Sequence, residues 1–140
     1  MKEWLRAHVE NKMSQQLAPL INHPIQRKWG TYEIIARGNR WVTKILTIDK
    51  GKSISLQKHF WRTEHWLFLE GYALFWQEGD KVAREIKSKN NIWIAKSQLH
   101  WVKNISPSSQ KLIILETWMG NKLEEDDIER IEDETIIPFA

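Results

Sequence analysis

Gln57, His59 and Glu64, with His100 far downstream, are residue types that can surround a divalent cation. The first three fall inside "SLQKHFWRTEHW", residues 55–66, a stretch otherwise suited to a strand. Side chains alternate along a strand, so Gln57 and His59 share a face. The four residues "FWRT" are enough to turn the chain and bring Glu64 back beside His59. His65 faces away from Glu64 and is set aside as a ligand. A fourth donor must come from a distant strand, and "QLHWVKN" supplies His100. On spacing alone, a metal site is as good a reading as three ordinary polar strand residues, Gln57, His59 and His100, with Glu64 a surface charge.

The elements around these donors read as strands. Short apolar or alternating segments recur at 31–36, 41–48, 53–59, 64–69, 72–77, 82–87, 92–94, 100–103 and 111–118. The turn signals "RGN", "DKGK", "LEG", "QEGD", "SKNN" and "SPSS" separate them at the tight spacing of a sandwich or barrel. No span there is periodic enough for a crossover helix, so an all-β antiparallel jelly roll or small barrel is expected. Before it, residues 2–18 place Trp4, Leu5, His8, Val9, Lys12 and Met13 at near-helical spacing, with Pro19 ending the pattern. Residues 20–27 read as a connector, giving a short N-terminal helix and connector over 1–26 and a barrel domain over 27–140. In the acidic end, Leu123, Ile128 and Ile131 suit a short helix or turn against the barrel, and "TIIPFA" a final extended piece.

At 140 residues the chain suits one domain with a single core. Its longest apolar run, "WLFLEGYALFW", is interrupted by Glu70 and Gly71, too short for a transmembrane helix. The first residues lack a secretory pattern, so a cytoplasmic protein with no membrane partner is expected. With no cysteine, disulfides and thiolate sites are excluded, leaving His, Gln and carboxylates as ligands. The net charge of +3 conceals an asymmetry. Residues 124–134, "EEDDIERIEDE", hold eight acidic residues and one basic one, leaving 20 basic and 10 acidic residues elsewhere. That body suits an anionic ligand, and also an ordinary solvated surface. Its Lys and Arg are dispersed and no recognition motif is present, so nucleic-acid binding is not expected. Of the nine tryptophans, Trp66 is a core candidate, while Trp61 and Trp118 suit stacking on a ligand.

The order Gly51, five residues, Gln57, one residue, His59, four residues, Glu64, six residues, Gly71 resembles the first motif of the cupin superfamily. His100, three residues, Asn104 resembles the second, with "AKS" at 95–97 where Pro-x-Gly is usual. "WGTYEII", "SLQKHFWRTEHW", "EGYAL" and "EEDDIERIED" are together similar to the type II mannose-6-phosphate isomerase domain of bifunctional mannose-1-phosphate guanylyltransferases, over about residues 27–134. Lys28, Trp118 and Thr135 depart from that pattern, the last two at positions expected near the barrel mouth. The nucleotidyltransferase opening "GGxGxRLWPxS" is missing, so no guanylyltransferase activity is expected.

The resemblance implies a cupin jelly roll with a metal held by Gln57, His59, Glu64 and His100. Gln in place of a third His favours zinc or another divalent ion that need not change redox state. It also implies an enzyme, a mannose-6-phosphate isomerase interconverting mannose 6-phosphate and fructose 6-phosphate, with the cation stabilising an enediolate. The alternative is a non-catalytic cupin module that binds a sugar phosphate or nucleotide sugar. Arg62 matches a family Arg and suits phosphate or oxyanion binding, against a surface Arg in a turn. Lys44 matches a family Lys and shares a strand face with Leu46 and Ile48, so it can point inward as a phosphate ligand or acid–base group, or be a solvated Lys. Glu116 is either a base or a rim charge. Cupin barrels commonly pair, so a homodimer is expected.

Overall fold

The structure, a computed structural model, describes residues 21–139. The helix expected over 2–18 lies outside the described residues. Among the described residues, eleven strands form two antiparallel sheets: β1 (Ile25–Arg27), β2 (Gly30–Gly38), β3 (Trp41–Ile48), β4 (Ser53–Lys58), β5 (Thr63–Glu70), β6 (Tyr72–Gln77), β7 (Arg84–Lys87), β8 (Asn91–Ile94), β9 (His100–Asn104), β10 (Leu112–Met119) and β11 (Glu129–Arg130). The six-stranded sheet runs β1-β2-β3-β10-β5-β8 and the five-stranded sheet β11-β4-β9-β6-β7. The nine expected strands are all present, within about two residues at each end. Two departures concern short pieces. The expected connector contains β1, whose residues 25–27 pair with Gly30–Tyr32 of β2. The acidic end, expected as a short helix or turn, forms a turn at residues 125–126 and then β11 on the edge of β4.

Alternation sets the interior. On β3, Val42, Lys44, Leu46 and Ile48 face in; on β10, Leu112, Ile114, Glu116 and Trp118; on β5, Glu64, Trp66 and Phe68. The antiparallel register stacks these rows, with Glu116 opposite both Lys44 and Trp66, and Trp118 opposite both Val42 and Glu64. The barrel is therefore polarised along its axis. One end is an apolar core built from Leu46, Ile48, Phe68, Phe75, Leu112 and Ile114; the other carries the charged inward residues. Apolar burial at the first end supplies the stabilisation that allows charges to be buried at the second.

The β4–β9 pairing shifts register between Ile54 and Gln57. Two successive residues, Leu56 and Gln57, are consequently both buried. Leu56 packs outward in a second cluster with Trp76, Trp101 and Ile137, closed by the tail that follows a 3₁₀ turn at Glu134–Ile136. At the β5–β6 turn Gly71 has φ +91°, and an added Cβ would lie 2.6 Å from the Lys111 carbonyl oxygen, so only glycine fits. Asn104 clamps the opposite side, donating to the Ile48 and Gln110 carbonyls at 2.9 and 3.0 Å.

Candidate metal centre

His59, Glu64 and His100 meet inside the polar end of the barrel, their candidate ligand atoms all within 4.8 Å of one another. His59 Nε2 lies 3.5 Å from Glu64 Oε2, and His100 Nε2 lies 3.6 Å from Glu64 Oε1. Such separations suit donors about 2.1 Å from a shared ion. Glu64 enters from the first inward position of β5 and His100 from the start of β9; His59 follows immediately after β4. Gln57 is buried on β4 directly opposite His100, and it lines the same cavity as His59. His65 faces out, its ring 4.5 Å from that of Trp93.

Each imidazole is oriented by a backbone carbonyl. The Nδ1 of His59 lies 2.7 Å from the Asp127 oxygen, and that of His100 lies 2.9 Å from the Gln98 oxygen. A carbonyl only accepts, so both Nδ1 atoms carry the proton and both Nε2 atoms turn a lone pair toward Glu64. His100 Nε2 is buried and has no hydrogen-bond partner. An orphaned buried acceptor costs free energy unless something binds there. Electrostatics leave the same donor set. Burial holds His59 down to about 4 and lowers His100 as well, so both rings are neutral. Burial opposes ionisation of Glu64, but Arg62 and the two histidines outweigh it and hold the carboxyl at about 2. Two neutral imidazoles and an ionised carboxylate fit a divalent cation.

Arg62 and Lys44 both point inward. Arg62 is no surface turn residue: it is buried, its Nε donates to Glu64 Oε2 at 2.8 Å and its Nη1 to the Glu124 carbonyl at 3.2 Å. It thus shares one Glu64 oxygen with any ion the cluster holds. Lys44 Nζ lies 2.6 Å from Glu125 and sits over the rings of Trp118 and Tyr32. Glu116 is buried, not a rim charge; it accepts from the indoles of Trp66 at 2.9 Å and Trp118 at 2.8 Å. Burial and the nearby Glu64 push it up to about 8.

Two departures from the family pattern separate in space. Trp118 lines the cavity, whereas Thr135 is exposed in the 3₁₀ turn, bonded to Asp133 and outside the cavity lining. The "AKS" turn forms without glycine: Ser97 adopts φ 61°, and its amide donates to the His59 carbonyl. The sequence reading missed Asp127, whose carboxylate accepts from the Phe60 and Trp61 amides, and Glu125. Their signal was the acidic run facing a basic body, which showed charge complementarity but no pairings.

The cavity beside the cluster has a volume of about 690 Å³. Comparison with known proteins accounts for this architecture. The family model described as "Mannose-6-phosphate isomerase C-terminal" matches residues 15–133. The chain belongs to this family. It is 32% identical over 113 residues to the mannose-1-phosphate guanylyltransferase of Escherichia coli K12, covering 81% of this chain and 23% of that protein. It is 36% identical over 109 residues to the xanthan biosynthesis protein XanB of Xanthomonas campestris, covering 78% and 22%. A cupin superfamily protein of Desulfitobacterium hafniense superposes with a TM-score of 0.54 at 13% identity, covering 73% of this chain and 82% of that one. The last shows the fold alone, and the cupin jelly roll expected from the sequence is the fold observed.

The expected activity requires correction. The matched relatives are guanylyltransferases and polysaccharide biosynthesis proteins, and the chain spans less than a quarter of the length of these two. The similarity therefore identifies a cupin domain of the kind found at their C-terminal ends. It does not support assigning this chain a free mannose-6-phosphate isomerase activity, and that assignment is withdrawn. Among the described residues no helix is long and apolar enough to cross a membrane.

Proposed function

We propose that the chain is a metal-binding cupin module that binds a sugar phosphate beside its ion. The Nε2 atoms of His59 and His100 and the Glu64 carboxylate would hold the cation, with the Gln57 amide oxygen as a fourth donor. The observation that carries this reading is His100 Nε2: buried, unpartnered, and fixed in its acceptor form by the Gln98 carbonyl on the other side of the ring. Zinc is the ion we favour, because two imidazoles with carboxylate and amide oxygen donors suit it. A bound cation would supply a Lewis-acid contact to a ligand oxygen.

The ligand class rests on the cavity wall and on the relatives. Arg27, Lys28, Lys44, Arg62 and Arg130 line the cavity, and Trp29 and Tyr32 offer aromatic surface. Such a wall suits an anionic, ring-bearing ligand, and one relative is named for mannose 1-phosphate. The proposal keeps the cytoplasmic homodimer expected from the sequence, and it includes no nucleic-acid or membrane partner, since Lys44 and Arg62 are turned into the barrel and not toward such a surface.

Metal analysis of the purified 140-residue chain tests the centre. About one zinc or other divalent ion per chain is expected, lost in His59→Ala and His100→Ala while the fold persists by circular dichroism. A wild-type chain that takes up neither zinc nor cobalt in a calorimetric titration would sink the metal reading. Titration with mannose 1-phosphate tests the ligand class separately.

A further inference from the structure

Residues 123–128 form a strap across the cavity mouth that touches three of the site's side chains. The Glu125 carboxylate pairs with Lys44 Nζ at 2.6 Å. The Glu124 carbonyl accepts from Arg62, and the Asp127 carbonyl holds His59 Nδ1. The Asp127 carboxylate fastens the strap to the segment that follows β4 through the amides of Phe60 and Trp61, at 2.9 and 3.0 Å.

Lys44 and Glu125 are unequal partners. Lys44 is 3% exposed, fixed on an inward position of β3 with its ammonium 3.6 Å from the centre of the Trp118 ring. Glu125 is 29% exposed, lies in a turn rather than a strand, and lines the cavity that a ligand would enter. A buried ammonium needs an anionic partner to offset its desolvation. The partner present is the accessible one.

We propose that Glu125 is a tethered competitor: its carboxylate occupies the place of a ligand's phosphoryl group on Lys44, and a phosphorylated ligand binds by exchanging with it. The phosphoryl group carries up to two charges and three acceptor oxygens, against one charge and two oxygens on the carboxylate, so the exchange favours the ligand once it is concentrated enough. Because Glu125 is held on the same chain, its effective concentration at Lys44 is high and the apparent affinity for the free anion is lowered accordingly. Release of Glu125 loosens the strap, and the strap also orients His59 through Asp127. Occupancy of the anion position and the setting of the metal-facing imidazole are thereby linked.

This inference takes its ligand class from the function proposed above, and its test is independent of the metal. Inorganic phosphate is titrated into the 140-residue chain in the presence of a chelator, with binding followed by calorimetry. Glu125→Gln removes the competitor and should tighten phosphate binding about tenfold. Asp126→Asn, an equal charge change at an exposed neighbour in the same turn, should change it less than about twofold. In the wild-type chain, saturating phosphate should speed hydrogen exchange at the Phe60 and Trp61 amides, a readout that needs no variant. The proposal is overturned if the two variants shift phosphate affinity alike, if phosphate binds none of the three proteins, or if those amides stay equally protected. A chain that binds phosphate as described but takes up no zinc would overturn the metal centre and leave this inference standing.

Discussion

The Arg62 guanidinium carbon lies 3.4 Å from the centre of the Trp118 ring, while the same side chain donates to Glu64 at 2.8 Å. Trp118 is therefore a platform under the charged end of the barrel: Lys44 also rests over its ring, and its indole nitrogen donates to Glu116. Trp118→Gln should lower stability by about 3 kcal/mol through the lost aromatic volume. It should also free Arg62 from one of its constraints. Urea denaturation measures the first effect; a change below about 1 kcal/mol would show that the cavity collapses around the shorter side chain.

Asp127 acts on the site from 68 positions away in sequence, through its backbone carbonyl on His59 and its carboxylate on two amides. Asp127→Ala keeps the carbonyl but strands the Phe60 and Trp61 N–H groups. We expect a loss of about 1–3 kcal/mol and, as the His59 contact slackens, a fall of about tenfold or more in zinc affinity. A zinc titration giving the wild-type constant would show that the carbonyl stays in place without its side chain.

His59 gives a signed pH dependence. Its pKa is held near 4 in the folded chain, against about 6.5 when unfolded. Between these values the unfolded chain binds a proton that the folded chain does not, so this group's contribution to stability falls as pH drops from about 6.5 toward 4. The loss approaches about 3 kcal/mol. Glu116 works in the opposite sense: raised from 4.5 to about 8, it keeps its proton in the folded state, and its contribution to stability falls as pH rises from about 4.5 toward 8. Comparing the metal-free wild type with His59→Phe isolates the imidazole. The wild type should lose stability relative to the variant on going from pH 7 to pH 4.5, and parallel profiles would contradict the assignment of a neutral buried ring.

Ser97 pays conformational strain at φ 61° in the turn that reaches His59. Ser97→Gly should raise stability by about 0.5–1 kcal/mol, since glycine meets no Cβ penalty there, while leaving zinc stoichiometry unchanged. A lower melting temperature in the variant would mean that the serine makes a compensating contact.

Much of the fold was legible because strand alternation is a local property. The limits of β3 and β6 follow from the apolar period and the flanking turns, and the same period places Lys44 in line with Leu46 and Ile48. Spacing also brought Gln57, His59 and Glu64 together as candidates. The two short strands escaped notice because β1 and β11, of three and two residues, are too brief to show a period and exist only by pairing with longer neighbours. The bulge that buries both Leu56 and Gln57 was equally invisible, since it arises from the register against β9.

By itself, then, the sequence determined the barrel's strands, which of their residues face inward, and the kinds of donor available to an ion. Only the tertiary structure decided which atoms those donors present and what state they are in. His59 is neutral because it is buried, and it turns Nε2 toward Glu64 because a carbonyl from the far end of the chain takes its other nitrogen. Arg62 and Lys44 were expected to await a ligand, yet they are held by Glu64 and Glu125. Periodicity is set by neighbours along the chain, whereas protonation, tautomer and ion pairing depend on dielectric surroundings and contacts between distant segments, which exist only once the sheets have closed.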